Sequence, residues 1–475
     1  MSRFDPRVYR ALGILLVCLS VSRLVGFGYE FAGEAVQTDF AAYYTAGQMV
    51  AAGLSPYRYL ITPERIIWTS GDMWQHSQYI YPPLLAAVFS PVAQTMSYLA
   101  AKYLWWLLDL AALCLSLSLS RRALRLPLWP WGAAQLMFAG LFHPMLVQLL
   151  RGQIDLITAA LIGGAFFLFA RPGARRHEMW AGVLVGFATM IKFHAGFVFP
   201  FLVLRRKFHA VAGFGLAVVV LIGLNLAASP INVQRYLAEV PRISQYGGDG
   251  PPGSELPPEA RAVIAKLFPP EGGVYKDGFL FRHRGFQFVT NASFVELICC
   301  GLGFDLTRPA ASMAMLAFFV LSFGLMAWRN YLSPPHLITQ HTADAGESRH
   351  DPQEYIYWFA ITNVALLAGP TTWTMNVVWL LPALPIFIYL WRSVDRSLAS
   401  QLAIALFASG LLLVALPDHR SYPALLPRVL LRLSIYKYPA GELLLILGSV
   451  VHLRRWRLRH PAREASQPAL AGASV

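Results

Sequence analysis

Residues 8–27, VYRALGILLVCLSVSRLVGF, decide the fold class. A helix needs about 20 predominantly apolar residues to cross a bilayer core, and this run supplies them with Arg3, Arg7 and Arg10 clustered at its start. It is too long for the core of a signal peptide, and no small-residue cleavage site precedes Asp39, so it reads as an uncleaved first span. Similar apolar runs recur to the end of the 475-residue chain. With 56% hydrophobic and only 13% charged residues, no soluble fold of this size could hide the apolar surface. The expected class is an all-α polytopic membrane protein with about 11–13 transmembrane helices.

A formal net charge of +14 would suggest nucleic acid as the partner of a soluble protein. Here the basic residues gather at the ends of apolar runs: Arg121-Arg122, Arg175-Arg176, Arg205-Arg206-Lys207, Arg392, Arg396, Arg454-Arg455 and Arg457. That is the pattern of cytoplasmic loops, so membrane lipids and not nucleic acid are the expected surroundings. It places the amino terminus inside and residues 30–83 outside, as a large first extracytoplasmic loop. Residues 229–291, rich in turn formers (GGDGPPG, PPEGG), form a second one. Residues 128–150 read as one outward span. The stretch 179–204 is broken near its middle by Lys192, His194 and Gly196. A lone lysine at mid-bilayer costs roughly 2.5–3.5 kcal/mol, so two short helices meeting near the outer side are expected there. The membrane domain covers residues 1–460, and 461–475 read as a disordered cytoplasmic tail. Cys18, Cys114, Cys299 and Cys300 have no metal-ligand spacing.

The first loop holds residues 38–59, TDFAAYYTAGQMVAAGLSPYRY. Thr38 can cap a short helix, Phe40, Tyr43, Tyr44, Gly47 and Val50 recur at helical spacing, and Gly53 can close its C-terminus. Asp39 then sits in the first turn, beside the positive end of the helix dipole, where a carboxylate suits the role of general base.

Sorting polar and aromatic residues by side brings a set to the outer face: Asp39, Tyr43, Tyr44, Tyr57, Tyr81, Arg151, Gln153, Asp155, Lys192, His194, Asn291, Ser293, Trp373 and Asn376. A crevice among these helix ends can hold an anionic headgroup through Lys192 or Arg151 while Asp39 faces a reacting hydroxyl. Arg282 and Arg284, in KDGFLFRHRGF, are further candidates for a phosphate. RGQID, residues 151–155, is a polar turn between two spans. No phosphate-binding glycine loop appears, so an activated donor would reach the site from the membrane, linked to lipid.

These residues resemble glycosyltransferase family 87, polytopic enzymes of the C-type glycosyltransferase fold. The resemblance rests on Asp39-Phe40, Tyr43-Tyr44, GLSPY at 53–57, Tyr81-Pro82-Pro83, Gly152-Gln153 with Asp155, Lys192, Asn291-Ala292-Ser293, and PTTWTMNVVWLLP at 370–382, in the family's order. It implies transfer of a sugar, often mannose, from a polyprenyl-phosphate donor to an acceptor hydroxyl on the extracytoplasmic side, with Asp39 as base. A glycolipid or glycan acceptor and a bacterial inner membrane follow from the same resemblance. One departure is Met375-Asn376, where the family often has a histidine pair. No second carboxylate adjoins Asp39 in a DxD pattern, so no metal or cofactor is expected.

A transporter or flippase of lipid-linked saccharides would share the spans and the aromatic lining. It would also need polar groups near mid-membrane and paired repeats. The polar groups here fall at outer helix ends, and no repeat is visible, which favours the enzyme.

Overall fold

The computed structural model describes residues 6–33, 38–57, 59–61, 66–68, 79–171, 175–243, 293–298, 308–332, 350–369, 374–416 and 437–458. Helix dominates. Helix α1 (Pro6–Gly33) carries the first apolar run, and α2 (Thr38–Ala51) follows. Two short antiparallel strands, β1 (Tyr59–Ile61) and β2 (Ile66–Trp68), set Tyr59 opposite Trp68. Then come α3 (Pro83–Thr95), α4 (Tyr98–Ala123), α5 (Trp131–Leu141), α6 (His143–Arg151), α7 (Asp155–Phe169) and α8 (Arg175–Ile191). A 3-10 turn, Phe193–Val198, leads into α9 (Phe199–Leu204), α10 (Phe208–Ala228) and α11 (Pro230–Ile243). The later helices are α12 (Arg308–Leu332), α13 (Pro352–Ala368), α14 (Ala383–Arg392), α15 (Leu398–Ala415) and α16 (Lys437–Leu458), with a 3-10 segment at Thr374–Leu380.

The fold is inside-out in polarity, as a bilayer solvent demands. Leu107 on α4, Val219 on α10 and Leu321 on α12 are exposed at 56, 68 and 73%. On the opposite side of α4, Lys102, Asp109, Ser116 and Ser120 are buried at helical spacing. Ser97 caps α4 by accepting from the Ala100 amide, and Arg121 and Arg122 stand in its last turn against the negative end of the dipole. The chain is an integral membrane protein.

Five helices among the described residues are long and apolar enough to cross a membrane, in α1, α4, α10, α12 and α15. A sixth span results if α5 and α6, bent by 63°, are taken as one. The remaining apolar helices among the described residues are shorter. One of the breaks has a local cause. Residues 128–150, expected as one span, break at Phe142, whose backbone is extended, with Pro144 following in the first turn of α6. The expected break in 179–204 is present: α8 ends at Ile191 and Lys192 is extended.

Helices α8 and α10 pack backbone to backbone. A β-carbon on Gly182 would sit 1.9 Å from the Ala210 carbonyl oxygen, and one on Gly213 would sit 2.1 Å from that of Met179. Helix α7 then joins two polar ends of the bundle. Its first residue, Asp155, lies in one cluster, while Ala170, just past its last turn, accepts from the Asp351 amide in another. The second cluster holds Arg205 paired with Glu354, Lys207 2.9 Å from Glu178, and Trp358 Nε1 donating to Glu354 Oε1 at 3.0 Å. Its arginine and lysine come from the basic run at 205–207.

Candidate active site

The first cluster is built from helix ends. Helix α2 forms as its spacing predicts, and Gly53 takes φ +70 beyond it, with the Leu54 amide closing on the Met49 carbonyl at 2.8 Å. Asp39 stands in the first turn, 5% exposed. Its Oδ2 faces Arg151 Nη1 at 3.7 Å across the gap to α6, and the Arg151 side chain remains 30% exposed.

One turn along α2, Tyr43 is fully buried. Its hydroxyl lies 2.9 Å from that of Tyr81, and each hydroxyl reaches Gln153 Oε1 at 2.8 Å. Gln153 belongs to the turn between α6 and α7, where Gly152 takes φ +62, a conformation that glycine adopts without strain. Two residues further, the fully buried Asp155 receives Lys192 Nζ at 3.2 Å on Oδ2 and Asn376 Nδ2 at 2.7 Å on Oδ1. The Lys192 ammonium also stands 5.4 Å from the centre of the Tyr81 ring, within cation–π range.

The turn 151–155 is thus the hub. Arg151, Gln153 and Asp155 alternate along it, and each engages a different partner: Asp39, the two tyrosines, and Lys192.

Around the hub runs an aromatic wall of Phe40, Tyr43, Phe89 and Trp105, with ring centres 5.3–6.2 Å apart in the pairs Phe89–Trp105 and Phe40–Phe89. Tyr57 donates to the Tyr81 carbonyl at 2.6 Å and Tyr79 to that of Pro82 at 2.7 Å, pinning the approach to α3. Burial pushes the Tyr79 phenol well above its usual range. The Tyr81 phenol is raised by burial too, against the opposing pull of Lys192, so both stay O–H donors at neutral pH.

Of the residues expected at this face, Asp39, Tyr43, Tyr81, Arg151, Gln153, Asp155, Lys192 and Asn376 come together. Tyr44 turns away, donating to the Met96 carbonyl at 2.8 Å and packing on Tyr98. His194 is half-buried in the 3-10 turn after Lys192, and Ser293 is fully buried before the helical turn Phe294–Glu296. Arg282, Arg284, Asn291 and Trp373 lie outside the described residues. Lys102, Asp109, Gln148 and Tyr236, which were not among the residues expected at the site, are buried as well. For Lys102 and Asp109 the signal was present, since charges within an apolar run face the interior of a bundle.

A charge-paired polar site at the helix ends of an integral membrane protein defines the class, and comparison with known proteins makes it specific: this is a membrane glycosyltransferase. Residues 79–271 match the family model described as Glycosyltransferase family 87, the family that the sequence motifs resemble. The match takes in Tyr81, Arg151, Gln153, Asp155 and Lys192. Among solved structures, ArnT from Cupriavidus metallidurans bound to undecaprenyl phosphate is similar at 14% identity, over 97% of this chain and 80% of that one, with a TM-score of 0.36. The apo form of the same protein is similar at 14% identity over 94% and 76%, with a TM-score of 0.31. No curated protein matches.

Proposed function

We propose that the protein moves a sugar, mannose or a related hexose, from a polyprenyl-phosphate donor to a hydroxyl of a glycolipid or glycan, at the extracytoplasmic face of a bacterial inner membrane. The observation that carries the reading, beside the family match, is Asp39 in the first turn of α2 with Arg151 across the gap at 3.7 Å. A carboxylate for the proton and a part-exposed guanidinium for the phosphate then stand within one crevice.

The step balances as follows. The acceptor oxygen bonds to the anomeric carbon of the sugar, and the bond from that carbon to the phosphate oxygen breaks. The bonding pair leaves with the polyprenyl phosphate, and the acceptor proton passes to Asp39. The leaving phosphate gains negative charge, which Arg151 is positioned to meet without donating a proton. On this reading Lys192, whose ammonium Asp155 engages, fastens the start of α7 beside the Tyr81 ring, and the phosphate falls to Arg151.

The test is incorporation. Purified protein in lipid nanodiscs would be incubated with labelled polyprenyl-phosphate sugars and membrane glycolipid extract. The expected result is a new labelled lipid that requires the donor. Label that merely crosses the bilayer of a vesicle, chemically unchanged, would contradict transfer and indicate a flippase.

A further inference from the structure

Asp109 lies inside the span α4, one turn below Trp105 and 1% exposed. Its Oδ1 has no hydrogen-bond partner among the described residues. A carboxyl held at that depth is costly and calls for a role. The group it meets is the side-chain amide of Gln148 on α6, itself fully buried.

Gln148 grips the hub turn. Its backbone carbonyl accepts from the amides of Gly152 and Gln153, the latter at 3.3 Å, and its Nε2 donates to the Gln153 carbonyl. An amide nitrogen carries two hydrogens. One is therefore spent on the turn and the other is available to Asp109. Everything the turn presents, Arg151 to Asp39, Gln153 to the tyrosines and Asp155 to Lys192, rides on that grip.

We propose that Asp109 is a positioning residue for sugar transfer, acting through Gln148 to set the height of the 151–155 turn against α2. The inference rests on the site assignment above. It makes Asp109 neither base nor ligand: it orients an amide whose other hydrogen holds the reacting groups in register. Misplacement by about 1 Å far from the reacting atoms can cost on the order of 10²-fold in rate.

The test uses the full chain in nanodiscs, with polyprenyl-phosphate mannose as donor and membrane glycolipid extract as acceptor. Asp109→Leu and Gln148→Leu should each lower kcat by roughly 10- to 100-fold with donor KM changed by less than about threefold. The double variant should be no slower than the slower single variant, because both changes remove one connection. Asp109→Asn keeps an oxygen that accepts from Gln148, and its kcat should exceed that of Asp109→Leu by at least about tenfold. Full kcat in Asp109→Leu, additive losses in the double variant, or equal damage by Asn and Leu would each overturn the proposal. Should Asp109→Leu not fold, Asp109→Ala in the wild-type and Gln148→Leu backgrounds decides: a loss of kcat of about tenfold in the first with no further loss in the second supports the link, and equal losses in both overturn it. Asp39→Asn assayed in parallel tells the two readings apart, since transfer retained there would remove the base assignment while the Asp109 comparison still stands.

Discussion

Lys192 and Asp155 form a buried ion pair at 3.2 Å, their side chains 11 and 0% exposed. Helix α8 ends immediately before this lysine, and helix α7 begins with this aspartate. The pair therefore fastens two helix ends at the floor of the crevice. Removing one partner of a buried pair strands the other and typically costs about 3–5 kcal/mol. Lys192→Met should accordingly lower the thermal midpoint of the protein in nanodiscs, and Lys192→Met with Asp155→Asn should recover most of it. Donor affinity in the recovered double variant then reads the lysine alone. Affinity near wild type fits a fastening role, whereas a loss of about tenfold or more, close to 1.4 kcal/mol, would return Lys192 to the phosphate.

The α8–α10 contact sets where Lys192 stands. Because a β-carbon on Gly182 would lie 1.9 Å from a backbone oxygen, no rotamer change can relieve it. Gly182→Val should therefore force the helices apart and leave little folded protein. Gly215, with open space around its α-carbon on the same α10, is the control. Gly215→Ala should fold normally, and equal yields from both variants would show that the close approach is wrong.

At the opposite end of the bundle, Asp351 caps α13 by accepting from the Gln353 amide at 2.8 Å. Burial, reinforced by the neighbouring Glu354 charge, raises its carboxyl to about 6. A raised acid binds more protons folded than unfolded, so its charged form works against the fold, increasingly as pH rises from about 4 through 6. Asparagine caps about as well as aspartate and carries no charge. Asp351→Asn should thus raise the thermal midpoint at pH 7.5, and the gain should shrink as pH is lowered towards 5. A gain that is constant with pH, or a loss at pH 7.5, would show that the buried charge is not costing stability.

The site was legible where a single residue announced itself against its surroundings. Asp39 opens a helix whose spacing and closing glycine are both local, and Lys192 interrupts an apolar run. What the sequence left out was pairing. Whether Lys192 meets a phosphate or Asp155 depends on how α7 and α8 pack, and no local pattern encodes that. Hydropathy likewise merged α5 and α6 into one run, since Pro144 is tolerated in a first helical turn and breaks the helix only through its effect on His143 and the turn before. Asp109 stands out as a charge in LWWLLDLAALCL, but its partner Gln148 lies 39 residues away on another helix, and only packing brings the two together.

The central claim is that Asp39 takes the acceptor proton, and Asp39→Asn tests it most directly. The substitution preserves shape and capping ability while removing the capacity to accept a proton. A positioned base is worth typically 10²- to 10⁴-fold, so the transfer rate at saturating donor should fall by about that factor with donor binding nearly intact. A variant that keeps more than about a tenth of the wild-type rate would contradict the account.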